Sequence, residues 1–138
     1  MIFFSNQTDS ITTVDKSEIH NIDVSVDSAF IEADEEQNRF IFAYTVTIHN
    51  AGLVPARLIT RHWIITDSNG KTREVKSEGV VGEQPYLRPG ETFQYTSGTM
   101  LETPAGIMQG SYQMITDDGT MFDAEINPFI LAAPRVLH

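Results

Sequence analysis

Alternating apolar and polar positions dominate this chain, and the most regular example lies between residues 40 and 48. There the larger side chains occupy every second position, at Phe40, Phe42, Tyr44, Val46 and Ile48. A period of two is typical of a β-strand with one buried face. We therefore predict a strand here, with these side chains facing the core.

Shorter stretches with a similar pattern predict six more strands. They span residues 22–31, 57–67, 71–76, 93–95, 107–116 and 121–131. Two connections, Asp67-Ser68-Asn69-Gly70 and Asp117-Asp118-Gly119, are typical of hairpin turns because Asn, Asp and Gly tolerate positive φ. No window of ten or more residues shows the 3.6-residue period of a helix. The sequence thus predicts an all-β fold, an antiparallel two-sheet sandwich of about seven strands.

The single tryptophan, Trp63, lies in the middle of one predicted strand. Ile59, Trp63 and Ile65 are spaced to share one register, so we expect Trp63 to be mostly buried.

The first 21 residues are polar and lack periodicity, which predicts a flexible N-terminal arm, 1–21, before a domain at 22–138. The apolar run Met1-Ile2-Phe3-Phe4 has no positively charged residue before it, so a signal peptide is not expected. No apolar run approaches the roughly 20 residues needed to span a bilayer. We expect a cytoplasmic protein that does not contact a membrane.

Charge and cysteine content exclude several classes of function. The chain has 9 basic and 19 acidic residues, a net charge of −10, which repels phosphate backbones and anionic lipid. Its basic residues form only a loose cluster between 57 and 76, so we expect no nucleic-acid binding. The absence of cysteine excludes disulfides, thiolate metal sites and a cysteine nucleophile.

Residues suited to catalysis or metal binding do not form a recognised arrangement. The four histidines are scattered. Asp123 and Glu125 share one strand face and could hold Mg²⁺ or Co²⁺ weakly, but an ordinary solvated strand face is the simpler interpretation. Thr96-Ser97-Gly98 lacks both a G-x-S-x-G elbow and a histidine partner. We therefore predict no catalytic residues, no cofactor and no metal site.

Residues 79–110 contain most of the glycines and half of the prolines. Gly and Pro act on backbone conformation, so this segment is expected to build shaped loops. Within it, Arg88-Pro89-Gly90 predicts a tight turn with Gly90 at positive φ.

Apolar residues in these loops either cap the sandwich or form a docking patch for a partner. The candidate interaction surface comprises residues of the 80–87 and 100–104 segments, namely Val80, Val81, Glu83, Gln84, Tyr86, Met100 and Leu101.

The same loops carry the motifs of a known family. These motifs are Gly79-Val80-Val81-Gly82-Glu83-Gln84-Pro85, then Leu87-x-Pro89-Gly90-Glu91-x-Phe93-x-Tyr95, then Glu102-Thr103-Pro104-x-Gly106, with Arg61-x-Trp63 upstream. In order and spacing they closely resemble the ApaG family, over roughly residues 22–138.

This resemblance implies a fibronectin type III-like sandwich, related to the immunoglobulin-like folds. Bacterial members are small cytoplasmic proteins whose gene lies beside that of a diadenosine tetraphosphate hydrolase. The family is linked genetically to cobalt resistance and magnesium efflux, and similar eukaryotic domains look like protein-interaction modules.

Two positions depart from the family pattern. Ser77 stands where many members have a glycine, so the G-x-G-x-x-G string becomes S-x-G-x-x-G. The remaining Gly79 and Gly82 are a weak candidate for a phosphate loop, because no helix is predicted after them. Near the C-terminus the proline of I-P-x-F is shifted to Pro128, which is expected to adjust a strand edge.

From these observations we expect a small non-enzymatic protein-interaction or regulatory domain, a monomer or weak homodimer whose protein partner the sequence does not identify. The alternative is a module that binds a divalent cation, in cobalt or magnesium homeostasis, or a nucleotide polyphosphate.

Overall fold

The computed structural model describes residues 15–134, which form a two-layer antiparallel β-sandwich. The elements in chain order are α1 (Lys16–Ile19), β1 (Ile22–Asp34), a 3-10 turn (Glu35–Gln37), β2 (Arg39–Asn50), β3 (Ala56–Asp67), β4 (Thr72–Glu78), β5 (Tyr86–Leu87), β6 (Thr92–Leu101), β7 (Ala105–Thr116) and β8 (Met121–Ala132). The predicted all-β sandwich is confirmed. It has eight strands because the two-residue β5 lies within the Gly/Pro-rich segment.

The two sheets differ in width. The first has the order β1-β2-β6, and the second has the order β4-β3-β7-β8 with β5 attached to β3. Strands β1 and β8 contact each other along one side of the sandwich. On the other side, β6 and β4 are the edge strands of their sheets.

The core lies between the sheets and follows the predicted alternation. All five large side chains predicted on β2 are buried. From the second sheet Trp63 packs against them, with 2% of its surface exposed and its ring centroid 5.4 Å from that of Tyr44. The predicted burial of Trp63 is thereby confirmed.

Strand β3 departs from the predicted register near its start. Its pairing with β7 shifts between Leu58 and Thr60, and Leu58 is fully buried whereas Ile59 is only half-buried. The prediction that Ile59 shares the register of Trp63 is wrong, because the extra residue of a β-bulge changes which side chains face inward.

A second bulge accommodates the shifted proline. Met108 pairs with Phe129 and Gly110 pairs with Ile126, so β8 has one more residue than β7 between these pairs. Pro128 lies in this bulge on an edge strand, where a residue without a backbone N–H is tolerated.

The predicted turns are present. Gly70 and Gly119 end the two hairpin turns with φ of 82° and 87°, and Gly90 has φ of 88° as predicted. Glycine suits all three positions because it has no Cβ.

Residues 15–21 belong to the predicted arm, and they contact the sandwich. The N–H of Leu53 donates to the carbonyl of Ile19 at 2.9 Å, and the His20 ring stacks on Phe122 with centroids 4.9 Å apart. The remainder of the predicted arm, 1–14, lies outside the described residues, as do residues 135–138. Among residues 15–134, no helix has the length and apolar character needed to cross a membrane.

Strands β7 and β3 approach each other closely at Gly110. A Cβ at this position would lie 1.9 Å from the carbonyl oxygen of His62, which belongs to the neighbouring backbone. Gly110→Ala is therefore expected to push the strands apart and lower the free energy of unfolding by more than about 2 kcal/mol. Gly98→Ala is the control, because its Cβ would meet only the Phe42 carbonyl oxygen, at 3.4 Å. Equal urea midpoints for the two variants would contradict this account.

Candidate interaction surface and the adjoining cleft

Residues 79–83 form a tight turn between β4 and β5. The N–H of Val80 donates to the carbonyl of Glu83 at 2.8 Å, and the N–H of Glu83 donates back to Val80 at 2.9 Å. Gly79 has φ of 62°, and a Cβ there would lie 2.4 Å from the Glu83 carbonyl oxygen. Glycine is needed here because the backbone folds back on itself and leaves no room for a Cβ.

Three of the five amides in the turn are engaged within the protein. The N–H groups of Gly79, Val80 and Glu83 all donate to backbone carbonyls, and the next element is the strand β5. A phosphate loop needs free amides that point at the ligand, usually at the start of a helix. The geometry therefore does not favour the weak phosphate-loop alternative at Gly79 and Gly82.

Val80 and Val81 point in opposite directions from this turn. Val80 is fully buried, whereas 55% of Val81 is exposed and its φ is 43°. Positive φ is unfavourable for a β-branched residue, because its Cβ crowds the backbone. The turn thus holds an apolar side chain in solvent at some cost in conformational energy.

Arg61 supports the turn from β3. One of its terminal nitrogens, Nη1, donates to the carbonyls of Glu78 at 3.0 Å and Gly79 at 2.8 Å. Two backbone carbonyls at the start of the turn are therefore fixed by one guanidinium group.

Gln84 and Tyr86 continue this surface and are held in place by side-chain contacts. Nε2 of Gln84 donates to the carbonyl of Ile59 at 3.0 Å. The hydroxyl of Tyr86 donates to Asp117 at 2.9 Å, and this hydrogen bond raises the pKa of the phenol. The guanidinium carbon of Arg57 lies 5.1 Å from the centre of the Tyr86 ring, a cation–π contact.

Two members of the predicted interaction surface belong to the core instead. Val80 is fully buried, and only 3% of Leu101 is exposed. Met100 and Leu101 are also not loop residues, because they end β6. Among the predicted residues, Val81, Glu83 and Gln84 are exposed, and Tyr86 and Met100 are half-buried. The two predicted roles, capping and docking, are thus divided among different residues.

Beside the turn, a cleft of about 340 Å³ opens between β4 and β6, the edge strands of the two sheets. Trp63 and Tyr44 form part of its apolar lining, and Arg61 and Arg73 line it too. This cleft was not predicted from the sequence. The signal that could have found it is the spacing of Arg61 and Trp63, since period two places this arginine on the inward face of β3.

Two tyrosine hydroxyls are hydrogen-bonded to each other near this cleft. Tyr95 and Tyr112 are both buried, and their oxygens form a short hydrogen bond. Burial raises the pKa of Tyr95 to about 12 and the pKa of Tyr112 further. Both phenols therefore stay protonated at neutral pH and cannot serve as general bases there.

The other polar candidates lie apart from one another. His62 is paired with Glu74 at 3.1 Å, and Asp123 and Glu125 are exposed on the outer face of β8. Within residues 15–134, no three His, Asp or Glu side chains lie close enough to hold a metal ion together. The cation-binding alternative thus gains no specific support from the geometry.

Comparison with known proteins identifies relatives over most of the chain. The sequence profile of the ApaG domain matches residues 31–116. Protein ApaG of Methylobacillus flagellatus is 58% identical over 125 residues, covering 89% of this chain and 98% of its own. Protein ApaG of Xylella fastidiosa strain M12 is 59% identical over 119 residues, which cover 85% of this chain and 94% of its own. A crystal structure of a Bordetella pertussis protein assigned the name ApaA is also similar, with a TM-score of 0.82 and 46% identity. The match covers 86% of this chain and 98% of the Bordetella chain.

The tyrosine pair predicts a loss of stability in alkali. Because the native state raises the pKa of Tyr95 and Tyr112, it binds their protons more tightly than the unfolded chain, which releases them near pH 10. Their contribution is fully present below about pH 10 and declines as the pH rises toward 12. Urea unfolding as a function of pH should show this decline, and Tyr95→Phe/Tyr112→Phe should flatten it.

Single substitutions distinguish the stability that comes from the Tyr95–Tyr112 hydrogen bond from the stability that is lost when the phenols ionise. Tyr112→Phe leaves the buried Tyr95 hydroxyl without its partner and is expected to cost about 1–3 kcal/mol at neutral pH. The double variant should be closer to the wild type, because no polar group is left unpaired. If the free energy of unfolding of the double variant falls with rising pH as steeply as that of the wild type, the decline comes from other groups.

Proposed function

The chain belongs to the ApaG domain family, and on this premise we propose that it is a small, non-enzymatic protein-interaction domain that docks a partner through the exposed part of the 79–86 turn. The observation that carries the proposal is the exposed Val81 at positive φ. Strained backbone persists only where surrounding structure holds it, and such positions concentrate at functional sites.

The contacts around Val81 support a preorganised surface. Val80 anchors the turn in the core, the paired amides of Val80 and Glu83 close it, and Arg61 fixes its start. A surface that is ordered before binding loses less entropy when a partner docks.

The composition of the surface indicates what kind of partner would fit. An apolar side chain, Val81, is exposed beside the polar Glu83 and Gln84. A small apolar centre with a polar rim is the usual plan of a protein–protein interface. The partner would offer a shallow apolar pocket with hydrogen-bond donors near its edge.

The proposal that the domain is not an enzyme draws on the chemistry of its buried polar groups. The two core phenols are protonated at neutral pH and are hydrogen-bonded to each other. The Ser97 hydroxyl lines the cleft beside the edge of β6, and His62 is engaged with Glu74. Nucleophilic catalysis needs a base within hydrogen-bond reach of the nucleophile, so this arrangement favours binding over catalysis.

Val81→Asp tests the surface directly. The substitution places a charge at the centre of the proposed contact and should abolish capture of the partner from a lysate of the source cell, read by mass spectrometry. Ile130→Asp is the matched control, because Ile130 is 67% exposed and lies near the end of β8, at the opposite end of its sheet from Tyr86. Partners that bind both variants equally would rule out the turn as the docking surface.

The strain at Val81 makes a second prediction. Asn adopts positive φ more readily than Val, so Val81→Asn should raise the free energy of unfolding by about 1 kcal/mol. The same change removes an apolar contact and should weaken partner binding. A variant that is less stable than the wild type in urea would show that the turn conformation carries no strain.

A further inference from the structure

The cleft beside the turn exists because the two sheets have different widths. Trp63 and Ile65 on β3 are paired with Val75 and Arg73 on β4, so all four side chains face the interior of the sandwich. Within residues 15–134 the first sheet ends at β6 and has no further strand to cover β4. The inner face of β4 therefore borders an open cleft and not a closed core.

Two arginines line this cleft. Arg61 is half-buried, and it uses one terminal nitrogen to bind backbone carbonyls. Arg73 reaches across the opening and donates to Thr99 Oγ1 at 3.1 Å and to the carbonyl of Met100 at 3.2 Å, again from one nitrogen. A guanidinium group has five N–H donors, so these contacts leave several donors on each arginine.

The described part of the chain gives these arginines no carboxylate partner. Within residues 15–134, neither Arg61 nor Arg73 has an Asp or Glu oxygen within 4.0 Å, and no Asp or Glu lines the cleft. The groove beyond Arg73 does contain two carboxylates, but Glu102 is paired with Lys71 at 3.0 Å and Asp67 accepts hydrogen bonds from backbone N–H groups of its own turn. A chain with a net charge of −10 thus has a local positive site here.

Trp63 forms part of the apolar wall of the cleft. Its indole N–H is the only buried side-chain nitrogen or oxygen in the described residues without a hydrogen-bond partner, and this nitrogen is itself shielded from the cleft. A molecule in the cleft would therefore contact the indole ring, while the N–H stays buried.

We infer that this cleft binds a small organic anion, a carboxylate or phosphate head group carried by an apolar body. The head group would accept hydrogen bonds from the guanidinium groups of Arg61 and Arg73. The body would contact the apolar lining, which includes Tyr44, Ile65 and Met108 among other residues. Small-ligand sites commonly combine such an apolar wall with a few convergent polar groups.

This site adjoins the proposed docking contact, because Val81 also lines the cleft. Its charged groups come from β3 and β4, whereas docking depends on the exposed side chain of Val81. The binding experiment therefore uses small molecules alone and leaves Val81 unchanged, so that failure of anion binding and failure of partner capture are observed separately.

The single tryptophan provides a direct readout of binding. Phenyl phosphate and benzoate combine an anionic head with an apolar body, and each should change the Trp63 fluorescence saturably at concentrations up to about 10 mM. Inorganic phosphate, which lacks the body, should bind more weakly. Benzyl alcohol, which lacks the charge, should produce no saturable change. Calorimetry with the same four compounds checks that the optical signal reports binding.

Arg73→Gln locates the site. Arg73 is exposed, so the variant should fold, and loss of its charge-assisted hydrogen bonds should weaken phenyl phosphate binding about tenfold or more. Arg39→Gln is the control, because it changes the net charge equally from the exposed start of β2. Three results would overturn the inference. Arg73→Gln and Arg39→Gln could weaken phenyl phosphate binding equally, benzyl alcohol could bind as tightly as the anions, or neither organic anion could change the fluorescence saturably.

Discussion

Aromatic packing around Trp63 holds the two sheets together. The Trp63 ring, on β3, meets Tyr44 of β2 with centroids 5.4 Å apart, Phe129 of β8 at 6.0 Å and Tyr112 of β7 at 6.4 Å. All three contacts have the edge-to-face geometry that aromatic quadrupoles favour. One side chain thus connects the first sheet to three strands of the second.

The same residue lies at the boundary between the packed interior and the open side of the sandwich. Toward β8 it is enclosed by rings, whereas toward β4 it borders the cleft lined by Arg61 and Arg73. The 79–83 turn lies close to this opening because Arg61 contacts both the turn and the cleft. The core, the exposed turn and the cleft therefore depend on one short part of β3, and a change in its register would affect all three.

Features that depend on neighbours in sequence could be predicted, and features that depend on distant strands could not. The alternation at 40–48 and the glycine turns are local, and the structure confirms them. The inward position of Leu58 follows from a bulge, which leaves no mark in a periodic pattern. Val80 and Leu101 looked like exposed loop residues, but tertiary packing buries both. The cleft was missed because Arg73 becomes part of a site only when β4 and β6 are placed side by side.

The order of strands within each sheet has a consequence for how the chain acquires its fold. In the first sheet Thr45 of β2 bonds Thr96 of β6, 51 residues away, and in the second Thr60 of β3 bonds Gln113 of β7, 53 residues away. Both central pairings close long loops, and the entropy lost on closing them is regained only when the partner strand arrives. Neither sheet can be completed while the ribosome is still adding β6 and β7. During synthesis the hairpin of β1 and β2 has an unpaired edge until β6 is made, and such an edge is a template for association with another chain.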